Sequence, residues 1–288
     1  MGPRPLGGSC RSSSLSPDAF ASPRRCRYHR DSKPAGAADD PTQPDHLSRS
    51  IHAASALCGD ILDALGTAIA SGQVRPGEAL TLESIQTRYG VSRTLARDCM
   101  RTLESLGLVE SRRRTGAVVR PPQDWAALSP LVIRWQLEAS PDGPKLGALT
   151  ELRAAVEPVA AAAAARRATE PQRAELLHLA ATIRERGRTG AVASYLDADI
   201  AFHGLVLEAS QNDTFAALTD VVAEVLTGRT RLDGGLQAPE PEALELHLRL
   251  AEAIAAGDAQ EAERCMREIV AEVREVLLER GLRGFLTA

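Results

Sequence analysis

Between Leu82 and Arg120 the apolar period switches from helical to strand-like, and that switch fixes what this part of the chain can become. Leu82 and Ile85 mark a short helix ended by Gly90. Val91-Ser92-Arg93-Thr94 follows, and Ser92 is a good N-cap because its hydroxyl can accept from an unpaired first-turn N–H. Ala96, Met100, Leu103 and Leu106 then recur every three or four residues, one buried stripe closed by Gly107. Leu108–Ser111 and Ala117–Arg120 read as two short strands around Arg112–Gly116, a two-stranded hairpin with a basic tip. Upstream, Ile61, Leu62, Leu65 and Ile69 repeat at helical spacing until Gly72 and the Pro76-Gly77 turn. Three short helices and a basic hairpin within residues 53–122 describe a winged helix-turn-helix.

The rest is helical. Aromatic residues are only 3% of the 288, which disfavours a sandwich or barrel of aromatic and β-branched strands. After a linker over 143 and the twenty residues before it (123–143), candidate helices run over Pro144–Ala168, Pro171–Arg186, Val192–Ser210, Thr214–Arg231, Pro241–Ala256 and Ala259–Arg280. Leu146, Leu149, Leu152, Val156 and Val159 supply an apolar stripe for the first. The fold class is therefore mainly α: an N-terminal winged helix joined to an all-α bundle over 144–288, with room for an interior ligand. Trp125 and Trp135 are expected to pack between linker and bundle. Residues 1–50 hold 7 of the 17 prolines and show no period, so residues 1–52 read as a disordered tail, or as a basic arm that touches phosphates.

Net charge, −4, by itself argues against a nucleic-acid binder, but the charge is unevenly spread. Residues 55–122 carry 9 basic and 7 acidic side chains, and every cation is an Arg; residues 123–288 carry 17 and 26. Five cysteines (Cys10, Cys26, Cys58, Cys99, Cys265) are widely scattered, which argues against a disulfide framework and against a structural zinc site. No apolar run reaches membrane-spanning length and no secretory signal is visible, so a cytoplasmic protein that makes no use of membranes is expected.

On the third helix Arg93 and Arg97 are four residues apart and share a face that Arg101 extends. An Arg near a helix N-terminus can reach guanine O6 and N7 in the major groove with two hydrogen bonds, and the helix end itself favours a phosphate. Arg112, Arg113 and Arg114 would neutralise phosphates or enter the minor groove, and Gly116 would let the backbone approach. Taken singly, each set reads more readily as a solvated face or an exposed loop; joined with Ser92, the Gly-bounded turn and the paired strands, they read as a DNA contact. In the bundle, Asp199 and His203 are four apart on one helix face, and His247 begins an apolar helix. Asp and two His form a plausible N/O metal set for Zn, Ni or Mn, or else pair with one another and with Arg inside the bundle. His178 has no partner pattern.

Ile61–Val119 resembles the winged helix of GntR-type bacterial transcription regulators. The residues that carry the likeness are Ile69-Ala-Ser-Gly-Gln-Val-Arg-Pro-Gly77, Gly90-Val-Ser-Arg-Thr94, Arg97, Leu103–Val109 and Gly116. The resemblance implies that Ser92, Arg93, Thr94 and Arg97 lie on a recognition helix reading an operator as a homodimer. The usual Arg-Glu-Ala there is Arg97-Asp98-Cys99 here, and a basic position in helix 2 falls on Glu83. Leu146–Val276 is similar to the FCD effector domain of the FadR subgroup, through the run from Glu151 to Pro158, Asp199 with His203, Ala209–Asn212, and His247 with Gly257-Asp258. That likeness implies an effector site of Arg153, Asp199, His203 and His247, with Asp199, His203 and His247 as metal ligands; a fourth family ligand, a His, falls on Ile269. Asp124-Trp125 and Leu131–Glu138 resemble the linker of sugar-acid-responsive members, implying a small anionic effector: a sugar acid or its 2-keto-3-deoxy derivative. The resemblance thus implies a repressor, with an activator or dual regulator built of the same parts as the alternative. A helical metal-dependent hydrolase using Asp199, His203 and His247 is the rival outside this class.

Overall fold

The computed structural model describes residues 45–113, 116–141, 143–230 and 241–279. Helix α1 (Asp45–Ala70) opens eight residues before the expected start of order at 53, because after Pro44 no proline or glycine interrupts the chain until Gly59. The tail expected before it lies outside the described residues up to 44. Strand β1 (Ala79–Leu80) and helix α2 (Leu82–Tyr89) follow. Thr81 and Ser84 cap α2 reciprocally, and Gly90 ends it in the left-handed conformation. Helix α3 (Arg93–Ser105) starts on Ser92, whose Oγ accepts from the Leu95 N–H at 3.2 Å. Ala96, Cys99, Met100 and Leu103 form its buried face, packed on Ile61, Leu65 and Ile69 of α1.

The expected hairpin is a three-stranded antiparallel sheet. Strands β2 (Val109–Arg112) and β3 (Gly116–Val119) pair as foreseen, shifted by one residue, and β1 adds itself on the far side of β3 through Ala79↔Val118 and Leu80↔Ala117. A two-residue strand is too short to show alternation, so it left no period to read.

The linker holds a 3-10 turn (Pro122–Asp124) and a ten-residue helix, α4 (Pro130–Ala139), with Pro130 in its first turn. The two tryptophans depart from expectation: both belong to the core of the winged helix rather than to the bundle. Trp125 Nε1 donates to the Arg120 carbonyl at 3.0 Å, and Trp135 Nε1 to Asp63 Oδ1 at 2.8 Å. The Trp135 ring covers Gly66 of α1, where a Cβ would lie 2.1 Å from the ring. The opposite face of α4, Ile133 and Leu137, packs with Leu146, Leu149, Val221 and Val225 of the bundle. Helix α4 is thus a shared wall of both cores.

The bundle comprises α5 (Pro144–Arg167), α6 (Glu170–Thr189), α7 (Val192–Ala209), α8 (Asp213–Ala216), α9 (Thr219–Arg229), α10 (Pro241–Ala256) and α11 (Ala259–Glu279). The helix expected over Thr214–Arg231 is broken at Leu218, which packs against both the α4-facing and the α7-facing clusters. Arg173 joins three helices by donating to the Ala165 and Ala168 carbonyls at the end of α5 and to the Ala255 carbonyl at the end of α10. Those carbonyls have no intrahelical donor, so one guanidinium replaces water at two helix ends. Helix α5 is central and touches α7, α9, α10 and α11. Its buried face runs Leu146, Leu149, Arg153, Glu157, Ala160 and Ala164, and Val159 is 48% exposed. The expected stripe therefore holds at Leu146 and Leu149, runs along the half-buried edge at Leu152 and Val156, and leaves the buried face at Val159: that face carries two charged residues in its middle.

Candidate functional site

Two places collect the residues singled out by sequence. On the winged helix, Ser92, Arg93, Thr94, Arg97 and Arg101 are all exposed along one side of α3, opposite its buried stripe. Among the described residues neither Arg93 nor Arg97 forms an ion pair, whereas Arg101 lies 3.5 Å from Asp98. Glu104 Oε1 accepts from the Ser111 N–H at 3.0 Å, which fixes β2 relative to α3. Between the helix and the sheet lies a cleft of about 350 Å³ lined by Arg97, Met100, Arg101, Arg112 and Gly116 among others. Arg112 Nε donates to Glu110 at 2.7 Å, Arg113 is exposed, and Arg114 lies outside the described residues. Gly116 has φ +94, and a Cβ there would sit 2.8 Å from the Leu80 carbonyl oxygen, so this glycine is needed for the close approach of β1. An exposed helix side carrying three arginines beside a basic hairpin has the size and charge to enter a DNA major groove.

The second place is inside the bundle. Arg153 and Glu157 of α5, Asp199 and His203 of α7 and His247 of α10 are each at most 3% exposed. The structure brings together all four residues expected from sequence and adds two that sequence reasoning missed, Glu157 and Arg229. Glu157 holds both neighbours: Arg153 Nη2 donates to Oε2 at 3.3 Å, and His203 Nδ1 lies 2.6 Å from the same oxygen. A nitrogen that close to a carboxylate oxygen must carry the proton, so His203 holds Nδ1 on Glu157 and turns its Nε2 inward. His247 is set in the same way, its Nδ1 donating to the Ala243 carbonyl at 2.6 Å. The two Nε2 atoms face Asp199 Oδ1 at 3.6 and 3.1 Å, yet neither Asp199 oxygen nor His247 Nε2 has a hydrogen-bond partner. Three side-chain atoms of metal-ligand type, two imidazole nitrogens and a carboxylate oxygen, therefore converge on one point.

One ligand atom from each of Asp199, His203 and His247 lies within 4.8 Å of the others. Ligands held about 2.1 Å from an ion stand within about 4 Å of one another, so a small contraction completes a site. The donor set fits Zn, Ni or Mn, and the Nδ1 hydrogen bonds are the outer-shell support that metal-binding imidazoles use. Ile269, where the resemblance puts a fourth His, is buried in the apolar core and offers no donor. Two further groups sit at the rim: Arg153 Nη1 is buried without a partner, and Arg229 Nη2, at the end of α9, is 3.5 Å from Asp199 Oδ2. Glu157 could have been suspected from its i,i+4 spacing to Arg153 on an alanine-rich helix; no local signal marks Arg229.

Burial alone would raise the Glu157 pKa, but the adjacent Arg153 and His203 outweigh it and hold the carboxyl at about 2, below its ordinary 4.5. A depressed folded-state pKa contributes stability above pH 4.5, lost progressively as the pH falls toward 2. The thermal midpoint of the bundle is accordingly expected to drop between pH 5 and 3, and Glu157→Gln is expected to show a flatter slope across that interval, measured by circular dichroism. Parallel slopes would show that Glu157 does not titrate in this way.

Residues 57–119 match the model of bacterial regulatory proteins of the gntR family, and residues 148–272 match the FCD domain. The chain is 30% identical over 227 residues to the galactonate operon transcriptional repressor of Escherichia coli K12, covering 76% of this chain and 96% of that one. It is 26% identical over 216 residues to the transcriptional regulator LutR of Bacillus subtilis 168, covering 73% and 95%. Among solved structures it shares the fold of Lar, which controls the expression of the Listeria monocytogenes agr system, with a TM-score of 0.51 at 18% identity over 77% of this chain and 96% of that one.

Proposed function

The chain belongs to the GntR family of bacterial regulatory proteins and carries an FCD domain, and from that footing we propose that it is a repressor released from its operator by a sugar acid or the 2-keto-3-deoxy derivative of one. Its relatives are transcription regulators rather than enzymes, and the hydrolase alternative falls with them. No helix among the described residues is long and apolar enough to cross a membrane. In this reading two copies form a homodimer, so that two α3 helices meet successive major-groove half-sites. Arg93, Arg97 and Arg101 reach bases and backbone; Ser92, Thr94 and the wing residues Arg112, Arg113, Arg114 and Gly116 fix the register.

The observation that carries the effector half is the convergence of one ligand-type atom from each of Asp199, His203 and His247 beside an unpartnered Arg153 N–H. The formal charges of Arg153, Arg229, Glu157 and Asp199 cancel, so a divalent ion held by the three ligands would leave the site net positive. Such an ion supplies Lewis-acid attraction for a carboxylate. Arg153 and Arg229 then orient the bound acid and its hydroxyls, and the bundle excludes competing water. The 30% identity to a galactonate operon repressor supports the sugar-acid class.

A bound acid that draws on Arg229 acts next to Gly228, whose missing Cβ admits the Leu137 Cδ1 of α4; a Cβ there would stand 2.6 Å away. Helix α4 thereby couples the site to Trp135 and α1. A 10–100-fold induction requires only about 1.4–2.7 kcal/mol of differential binding between the two arrangements. The test is a thermal-shift and operator-anisotropy series with aldonates and 2-keto-3-deoxyaldonates, with and without divalent ions. An acid at 100 times its Kd should raise stability by about 2.7 kcal/mol in the metal-loaded wild type. It should do nothing for Asp199→Asn, whose operator affinity stays at the wild-type level. An acid that shifts both proteins equally would rule out this site.

A further inference from the structure

Cys58 of α1 and Cys99 of α3 are 41 positions apart, and their Sγ atoms touch at 3.4 Å. Both thiols are free. Cys99 is fully buried in the winged-helix core, while Cys58 is half-buried and is the member that a small solute reaches. A disulfide needs its sulfurs about 2.0 Å apart, so the existing contact leaves a short side-chain rotation and a slight approach of the two helices. Scattered spacing argued against a disulfide framework in the sequence; it does not argue against a single pair assembled by the fold. Cys265, the other described thiol, lies in the bundle against Glu261 and provides an internal comparison.

We propose that Cys58 and Cys99 are a redox-active dithiol which a hydroperoxide converts to an intramolecular disulfide, pinning the recognition helix to α1 and weakening operator binding. The Cys58 thiolate attacks the peroxide oxygen; the O–O bond breaks, and the leaving hydroxide or alkoxide takes a proton, leaving a sulfenic acid on Cys58. The Cys99 sulfur then attacks the Cys58 sulfur as the S–O bond breaks, and the departing hydroxide takes the Cys99 proton as water. Two thiols and one hydroperoxide give one disulfide, one water and one alcohol, or two waters from hydrogen peroxide. Burial, with Cys58 beside it, pushes the Cys99 thiol up to about 12, which leaves Cys58 as the attacking member and Cys99 as the resolving one.

The consequence follows from helix geometry. Cys99 is two residues from both Arg97 and Arg101, about 200° around α3, so its sulfur lies on the side away from the cationic face. Drawing that sulfur toward α1 retracts the Arg-bearing face from a duplex. Ala96 and Leu103 are fully buried on the same inner side, and a close-packed core passes such a shift to the backbone rather than absorbing it. In reducing compartments disulfides of this kind are transient and sensing.

The experiment treats the reduced full chain with hydrogen peroxide and maps non-reduced tryptic peptides by mass. The segments 50–88 (the Arg75–Pro76 bond resists trypsin) and 98–101, each holding one of the two cysteines, should appear joined and 2 Da lighter than their sum, and should separate with dithiothreitol. Operator affinity should fall about fivefold or more, as for the loss of one base contact, and recover on reduction. Cys58→Ser and Cys99→Ala should each abolish the joined peptide and make affinity indifferent to peroxide. Cys58 found as sulfinic acid with no joined peptide overturns the pairing, and a joined peptide with unchanged affinity overturns the switch. The mass readout does not depend on the operator, so a failure of DNA recognition itself would be seen separately in the reduced protein.

Discussion

Arg97→Ala is expected to lose roughly 5- to 150-fold in affinity for a duplex selected by the wild-type protein, and to lose most of its preference over a scrambled duplex, because one bidentate Arg–guanine pair is worth about 1–3 kcal/mol. The substitution should cost the fold almost nothing. Arg97 is exposed, makes no ion pair among the described residues, and sits in a helix interior where Ala is the best former. Helical content, thermal midpoint and sedimentation behaviour should therefore match the wild type. Arg113→Ala is the instructive contrast. A residue on the wing that neutralises phosphate should weaken selected and scrambled duplexes alike and reduce the salt slope by about one. Anisotropy titrations at several salt concentrations separate the two patterns. Wild-type affinity and preference in Arg97→Ala would remove the recognition role from this face of α3.

That face was legible in the sequence because its signals are local. Ser92 caps, Gly90 and Gly107 bound the helix, and Ala96, Met100 and Leu103 keep a single period, so the side left over had to be the arginine side. Asp199, His203 and His247 were legible in part: their types suggested a metal set, spacing alone favoured pairing within the bundle, and the resemblance joined Arg153 to them. What could not be read shares one physical cause: the deciding partner lies far away along the chain. The buried face of α5 includes Arg153 and Glu157, so a search for apolar period slid onto Leu152, Val156 and Val159, and Val159 proved exposed. Glu157 was missed for the same reason, and Arg229 for want of any pattern. Helix α4 escaped because Val132, Ile133, Trp135 and Leu137 are buried on opposite sides by two different domains. With apolar residues on two sides and Arg134 and Glu138 between them, the helix has no single amphipathic stripe to detect.

Gly66→Ala tests what α4 does. An added Cβ would stand 2.1–2.4 Å from three atoms of the Trp135 ring, well inside contact distance. The ring has little freedom to withdraw, being fully buried and tethered through Nε1 to Asp63 at 2.8 Å. Overpacking of this kind costs about 1–3 kcal/mol, and the least costly relief is for α4 to lift from α1. The variant is therefore expected to melt several degrees lower in the winged helix. It is also expected to bind both operator and effector while the effector no longer changes operator affinity, because the wall shared by the two cores has separated. Trp135→Leu alone leaves a cavity and should destabilise by about 2–5 kcal/mol. In the double variant the methyl occupies space that the smaller side chain vacates, so the two costs should sum to more than is measured, with a coupling of about 0.5–3 kcal/mol. Calorimetry of the four proteins gives that coupling, and anisotropy with and without the acid gives the induction ratio. Full induction in a destabilised Gly66→Ala protein would mean that the signal reaches α3 by another route than α4; wild-type stability would mean that the Gly66–Trp135 contact does not seat the helix at all.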